Sequence, residues 1–164
     1  MDNPTTQPVV VGSKVEEFSL KDPDGKTITL SEITGQRGVV IGFLHGTYCP
    51  HCIQQLARSN RYADALGERG VAMVWVLEDQ PVNVSTYRLA AQPPPRFTML
   101  PDSKPSIKSR LGMAAEEDHL AHPLNRILYI DAQRVIRYVE QRDNPHAPPD
   151  MERLLSVIEG DHPE

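Results

Sequence analysis

Val39-Val40-Ile41-Gly42-Phe43-Leu44-His45-Gly46-Thr47-Tyr48-Cys49-Pro50-His51-Cys52 is the stretch whose reading decides the fold. Its first six residues are apolar without alternation, as expected of a strand buried on both faces of a largely parallel sheet. Pro50 suits the first position of a helix, where its missing N–H would have no partner anyway. Downstream, Ile53, Leu56, Ala57, Ala63 and Leu66 recur at helical spacing, and the helix is expected to end near Gly67 or Gly70. Val71 to Leu77 is again an unbroken apolar run. Strand, helix, strand makes a βαβ unit, and the two cysteines fall at its strand-to-helix junction.

Outward from this unit, Phe18, Leu20, Ile28 and Leu30 sit in period-two positions around Asp22-Pro23-Asp24-Gly25, which predicts a β-hairpin. Ser31 is the expected N-cap of one short helical turn ending at Gly35. A weak helix is expected over 84–91, stopped by Pro93-Pro94-Pro95, followed by a short strand over 97–100. One or two helical turns are expected over 105–111 and a loop over 113–124. Arg126 to Ile130 and Val135 to Val139 read as a second hairpin, and Asp150 as the cap of a last helix burying Met151, Leu154, Leu155 and Ile158.

Composition narrows the function. The chain has 164 residues, 39% hydrophobic and 24% charged, with a net charge of −5, which suits one soluble domain over residues 1–164 with a core of its own. The acidic balance argues against nucleic acid or anionic lipid as partner, and no apolar run approaches the ~20 residues of a membrane helix. Without a basic residue before Lys14 or a long apolar segment, the amino terminus does not resemble a secretory signal, so a cytoplasmic location is expected. The only cysteines, Cys49 and Cys52, are three residues apart. In such a chain that spacing points to redox chemistry.

At a helix start, unpaired backbone donors and the helix dipole favour a thiolate, which makes Cys49 the expected nucleophile. Cys52, one turn on, is placed to attack a mixed disulfide on Cys49 and release the product. His51 can add positive charge or donate to the Cys49 sulfur and so favour the reduced pair. A zinc site needs four ligands as a rule, and His45, His119 and His122 could complete one only by folding back, so no metal is expected. Tyr48 and Pro50 are expected to shape the thiol pocket, and Trp75 to lie in the core.

With these residues in place, the chain resembles the thioredoxin-like superfamily in its peroxiredoxin-like, redoxin branch, the alkyl hydroperoxide reductase and thiol-specific antioxidant group. The resemblance rests on Val15 to Leu20 with Asp24-Gly25-Lys26, on Val39 to Cys52, and on Ile127 to Asp131 with Arg134-Val135-Ile136. It implies an α/β fold, a central mixed sheet flanked by helices with an N-terminal β-hairpin extension. It also implies a thiol-disulfide oxidoreductase or, alternatively, a thioredoxin-dependent thiol peroxidase, without a cofactor. A metal carrier on the same fold is a third reading. The substrate would be a protein or small-molecule disulfide or a hydroperoxide, and the electron donor a thioredoxin-like or glutathione-type thiol.

The family pattern places a threonine three residues before the reactive cysteine. Here Gly46 precedes Cys49 by three, Cys49 itself precedes Cys52 by three, and Thr47 lies nearby. A cis-proline is expected before the strand starting near Arg126, where Asn125 fills the slot and Pro123 lies two residues early. Arg126 is the nearest match to the family's arginine.

Overall fold

The computed structural model describes residues 10–104, 106–107, 126–140 and 149–160. A five-stranded sheet runs in the order β5-β4-β3-β6-β7, where β3 is Gly38–Leu44, β4 Val71–Leu77, β5 Thr98–Pro101, β6 Arg126–Asp131 and β7 Ile136–Glu140. Strands β5, β4 and β3 are mutually parallel, β6 is antiparallel to β3, and β7 is antiparallel to β6, so the sheet is mixed.

All seven residues of β3 are buried because it lies at the centre of the sheet with both faces covered. Val40 and Leu44 face a core shared with Leu56 and Leu66 of α2 (Pro50–Glu68) and with Leu154 and Ile158 of the last helix. Val39, Ile41 and Phe43 face the opposite core, with Val15, Phe18, Leu30 and Ile33. Two opposed cores on one strand leave no polar position, which is why the run shows no alternation. Gly42 is paired with the fully buried Trp75 of β4, and a Cβ there would lie 2.2 Å from the indole Cζ3. Trp75 Nε1–H donates to Ser59 Oγ at 3.0 Å, which satisfies the indole inside the core.

The N-terminal hairpin forms as expected, with β1 (Ser19–Lys21) antiparallel to β2 (Thr27–Thr29) and Asp22 Oδ1 accepting from the Asp24 and Lys26 N–H groups in the turn. The short helix α1 (Leu30–Ile33) corrects one expectation: its N-cap is Thr29, not Ser31, and it ends at Thr34 before Gly35. Thr29 and Glu32 make a reciprocal capping box. Ser31 lies inside the helix, and its N–H and hydroxyl both go to Glu17.

The third helix, α3 (Pro81–Ala90), begins three residues earlier than its periodicity suggested because Pro81 supplies the first turn. Asp150 caps the last helix, α4 (Met151–Gly160), accepting from Arg153 N–H at 3.1 Å. Of the turns expected over 105–111, Ser106 and Ile107 are helical, and the loop expected over 113–124 lies outside the described residues.

Leu44 and Leu77, paired across β3 and β4, end the two central parallel strands side by side. The segments that follow, 45–49 and 78–80, therefore emerge together at the carboxyl edge of the sheet. In open α/β sheets this edge is where ligands bind.

Candidate active site

Cys49 is the N-cap of α2, in extended backbone conformation, and its Sγ accepts the Cys52 N–H at 3.4 Å. It is partly exposed, whereas Cys52 is only 1% exposed and packs into the core with Leu44 and Leu56. The two thiols are free. Burial pushes the Cys52 thiol up to about 11, helped by its hydrogen bond to Cys49, while backbone N–H groups of Gly46 and His45 pull the other way. The pair is therefore asymmetric. The outer sulfur collects donors at the positive end of a 19-residue helix, and the inner one keeps its proton and donates it.

The loop ahead of Cys49 is held by Asp79, a residue the sequence reading passed over. Its carboxylate is 6% exposed and takes four donors. Oδ2 accepts from Thr47 N–H at 2.8 Å and Thr47 Oγ1 at 2.7 Å, and Oδ1 from Gln80 N–H at 2.7 Å and Asn83 Nδ2 at 2.8 Å. Burial would raise this carboxyl, but the bonds from Asn83, Thr47 and Gln80 outweigh it and hold the group below its ordinary value. One signal could have pointed to Asp79: the acidic pair Glu78-Asp79 directly after β4, at the sheet edge where the cysteines emerge.

Gly46 stands in the threonine slot before Cys49 for a steric reason. A Cβ there would lie 2.6 Å from Tyr48 Cε1 and 2.9 Å from Asp79 Oδ2. Thr47, one residue later, has committed its hydroxyl proton to Asp79.

Tyr48 lies across Gly46 and is 71% exposed. Its phenol is pushed up by partial burial and by the negative charge of Glu78, Cys52, Asp79 and Cys49. Pro50 and His51 form the exposed first turn of α2. Arg126 heads β6 opposite Phe43, which puts its backbone at the same end of the sheet as the cysteines. Pro123, His119 and His122 lie outside the described residues; the cis peptide among those described is Gln92–Pro93. No group of three His, Cys, Asp or Glu side chains suited to a metal occurs among the described residues.

Along α2, from one turn past Cys49, runs a groove of about 220 Å³, lined by Ile53, Leu56 and Ala57 of α2, by Tyr87 of α3, and by Pro93 and Pro95. Cys49, Ile53, Leu56 and Asn60 recur at helical spacing, so the groove follows the α2 face that starts at Cys49. Asn60 fixes its far wall, donating to Pro94 O at 3.2 Å and accepting from Arg96 N–H at 2.8 Å.

Residues 10–155 match the Redoxin family. The chain belongs to that family. Among curated relatives, Peroxiredoxin Bcp of Escherichia coli is 29% identical over 136 residues, covering 80% of this chain and 85% of Bcp. Thiol-disulfide oxidoreductase ResA of Halalkalibacterium halodurans is 33% identical over 70 residues, 43% of this chain and 39% of ResA. The fold is shared with Peroxidoxin BcpB from Mycobacterium tuberculosis, at TM-score 0.75 and 18% identity over 93% of this chain and 98% of that one. Thiol peroxidase from Chromobacterium violaceum gives TM-score 0.77 at 17% identity, covering 96% and 97%.

The resemblance read from the cysteine segment thus holds: this redoxin has the thioredoxin-like fold of the peroxiredoxin branch and is a thiol-based oxidoreductase. No helix among the described residues is long and apolar enough to cross a membrane.

Proposed function

We propose that this redoxin is a peroxiredoxin-type thiol peroxidase whose CxxC pair cycles between dithiol and disulfide. The observation that carries the reading is the arrangement of a partly exposed Cys49 Sγ, receiving the Cys52 N–H at the helix start, with a buried Cys52 thiol directly behind it. Cys49 thiolate attacks one oxygen of a hydroperoxide, the O–O bond breaks, and the leaving oxygen takes a proton to become water or an alcohol. Cys49 is now a sulfenic acid. Attack by the Cys52 sulfur on the Cys49 sulfur expels the hydroxyl as water and closes the disulfide. An external reductant, one thioredoxin-type dithiol or two glutathione-type monothiols, then returns two electrons.

The peroxiredoxin relatives favour this reading over disulfide exchange as the main activity. The apolar groove along α2 offers space for the tail of an organic hydroperoxide. The same reading takes residues 1–164 as one redoxin domain, supported by the match over residues 10–155, acting in the cytoplasm.

A second reading, thiol-disulfide exchange, is favoured by Gly46 in the threonine slot and by the commitment of the Thr47 hydroxyl to Asp79, so that neither residue gives the Cys49 sulfur a side-chain hydroxyl donor. Stopped-flow oxidation of the reduced protein by hydrogen peroxide, beside oxidised glutathione, separates the two. Peroxide oxidation far faster than that of free cysteine, with both thiols lost together, supports the peroxidase. A peroxide rate no better than free cysteine with rapid exchange against glutathione disulfide overturns it.

A further inference from the structure

We propose that Asp79 is the positioning residue for the resolving thiol: acting through Thr47, its carboxylate holds the His45–Gly46 backbone donors against the Cys52 sulfur. It thereby sets the rate at which Cys52 closes the disulfide. The proposal rests on Cys49 as the attacking thiol, and it is independent of whether the oxidant is a hydroperoxide or a disulfide.

The carboxylate divides its oxygens between two elements. Oδ1 serves the start of α3 through Gln80 and Asn83, and Oδ2 serves the cysteine loop alone, taking both the N–H and the hydroxyl of Thr47. A carboxylate present only to begin α3 would not need its second oxygen on residue 47. Thr47 is bonded directly to Gly46, whose N–H reaches the Cys52 sulfur together with that of His45, and whose carbonyl accepts the Cys49 N–H at 3.3 Å. Fixing Thr47 therefore fixes two backbone donors on the inner sulfur and one contact on the outer residue.

The inner sulfur needs those donors more. Cys49 has the helix start and the Cys52 N–H, whereas Cys52 is buried and must become a thiolate to attack. Asp79 is itself anchored, because its N–H donates to Leu77 O at 2.8 Å and Glu78 N–H to Leu44 O at 3.2 Å, both at the ends of central strands. Its carboxyl stays ionised across the neutral range, so the clamp does not titrate there. Among the described residues, the other ionisable groups near the pair are Tyr48, which interacts with both cysteines and with Glu78, His45 in the same loop and His51 in the first turn of α2.

The test uses 5,5′-dithiobis(2-nitrobenzoate) on the reduced 164-residue chain. In a first phase Cys49 thiolate attacks the reagent disulfide, forming a mixed disulfide and releasing one thionitrobenzoate. In a second, Cys52 thiolate attacks the Cys49 sulfur and releases the other, so two thiols are oxidised and one reagent disulfide reduced. Asp79→Asn, which turns one acceptor arm into a donor, and Thr47→Val, which keeps the Asp79 charge but deletes the hydroxyl bond, should each slow the second phase. Losing one such bond predicts about threefold to tenfold.

The pH midpoint of the second phase should rise, the first phase should stay within about twofold, and Thr47→Ser should restore the native second phase. If Asp79→Asn fails to fold, Thr47→Val and Thr47→Ser decide alone. An unchanged second phase in Thr47→Val, equal slowing of both phases, or a Thr47→Ser as slow as Thr47→Val would each overturn the proposal. None of these outcomes depends on peroxide reactivity.

Discussion

Closure of the disulfide should be the pH-dependent step of the cycle, and its rate should climb well beyond the range in which an ordinary thiol has ionised. In the reduced protein Cys52 is pushed from 9.0 to about 11, chiefly by burial and then by its hydrogen bond to Cys49. At pH 7 that lowers the thiolate fraction about a hundredfold, while the greater nucleophilicity of a more basic thiolate recovers about sixfold to tenfold. The net expectation is a closure rate about tenfold slower than for an unburied thiol in the same place.

Once Cys49 carries a leaving group, its sulfur no longer accepts the Cys52 proton or opposes a second negative charge. Burial then remains as the main cause, and the midpoint in the intermediate should lie between 9 and 11. The sign is fixed: a raised thiol pKa means slower closure on the acid side and acceleration with rising pH, close to tenfold from pH 7 to 8 and still several-fold from pH 8 to 9. Rapid mixing of the reduced protein with one equivalent of oxidant, quenched in acid across pH 6 to 10.5 and resolved by mass into open and closed forms, reads this directly. A closure rate already flat above pH 8 would refute the reasoning, because Cys52 would then be ionising as an activated thiol despite its burial.

Three further outcomes are expected. Cys49→Ser should abolish thiol reaction with both hydroperoxide and disulfide reagents, while Cys52→Ser should accumulate a stable adduct on Cys49; recovery of the adduct on Cys52 in Cys49→Ser would reverse the two roles, and intact mass decides. His51→Ala should make the pair more reducing by on the order of 10–20 mV, the equivalent of losing one exposed charge interaction of about 0.5–1 kcal/mol, measured against a glutathione buffer. Gly42→Ala should lower stability by about 1–3 kcal/mol in urea titration, because the added methyl meets the fully buried Trp75 ring at 2.2 Å.

The parts of this molecule that were legible beforehand are those in which one local signal has one structural meaning. The apolar runs of β3 and β4 could only be central strands, and Cys49-Pro50 could only start a helix, so the βαβ unit and the position of the thiols followed. Caps were harder to place, because Thr29 and Ser31 are both good candidates two residues apart. What separates them is a contact with Glu17, fourteen residues from Ser31. The groove was not legible either, since Tyr87, Pro93 and Ile53 are brought together only by the packing of α3 and the following loop against α2.

Asp79 illustrates the same limit at the site itself. It is thirty-two residues from Thr47, and nothing between them announces a contact. The contact exists because parallel strands that begin in register also end in register, Leu44 beside Leu77, so whatever follows each strand must share the same small space. In that space a side chain at position 46 would collide with Tyr48 and Asp79, and a buried carboxylate needs donors. Glycine at 46 and a hydroxyl at 47 answer both demands together. The hydroxyl is thereby turned from the reactive sulfur to the loop that carries it, and the demand for donors on the sulfur passes to the backbone.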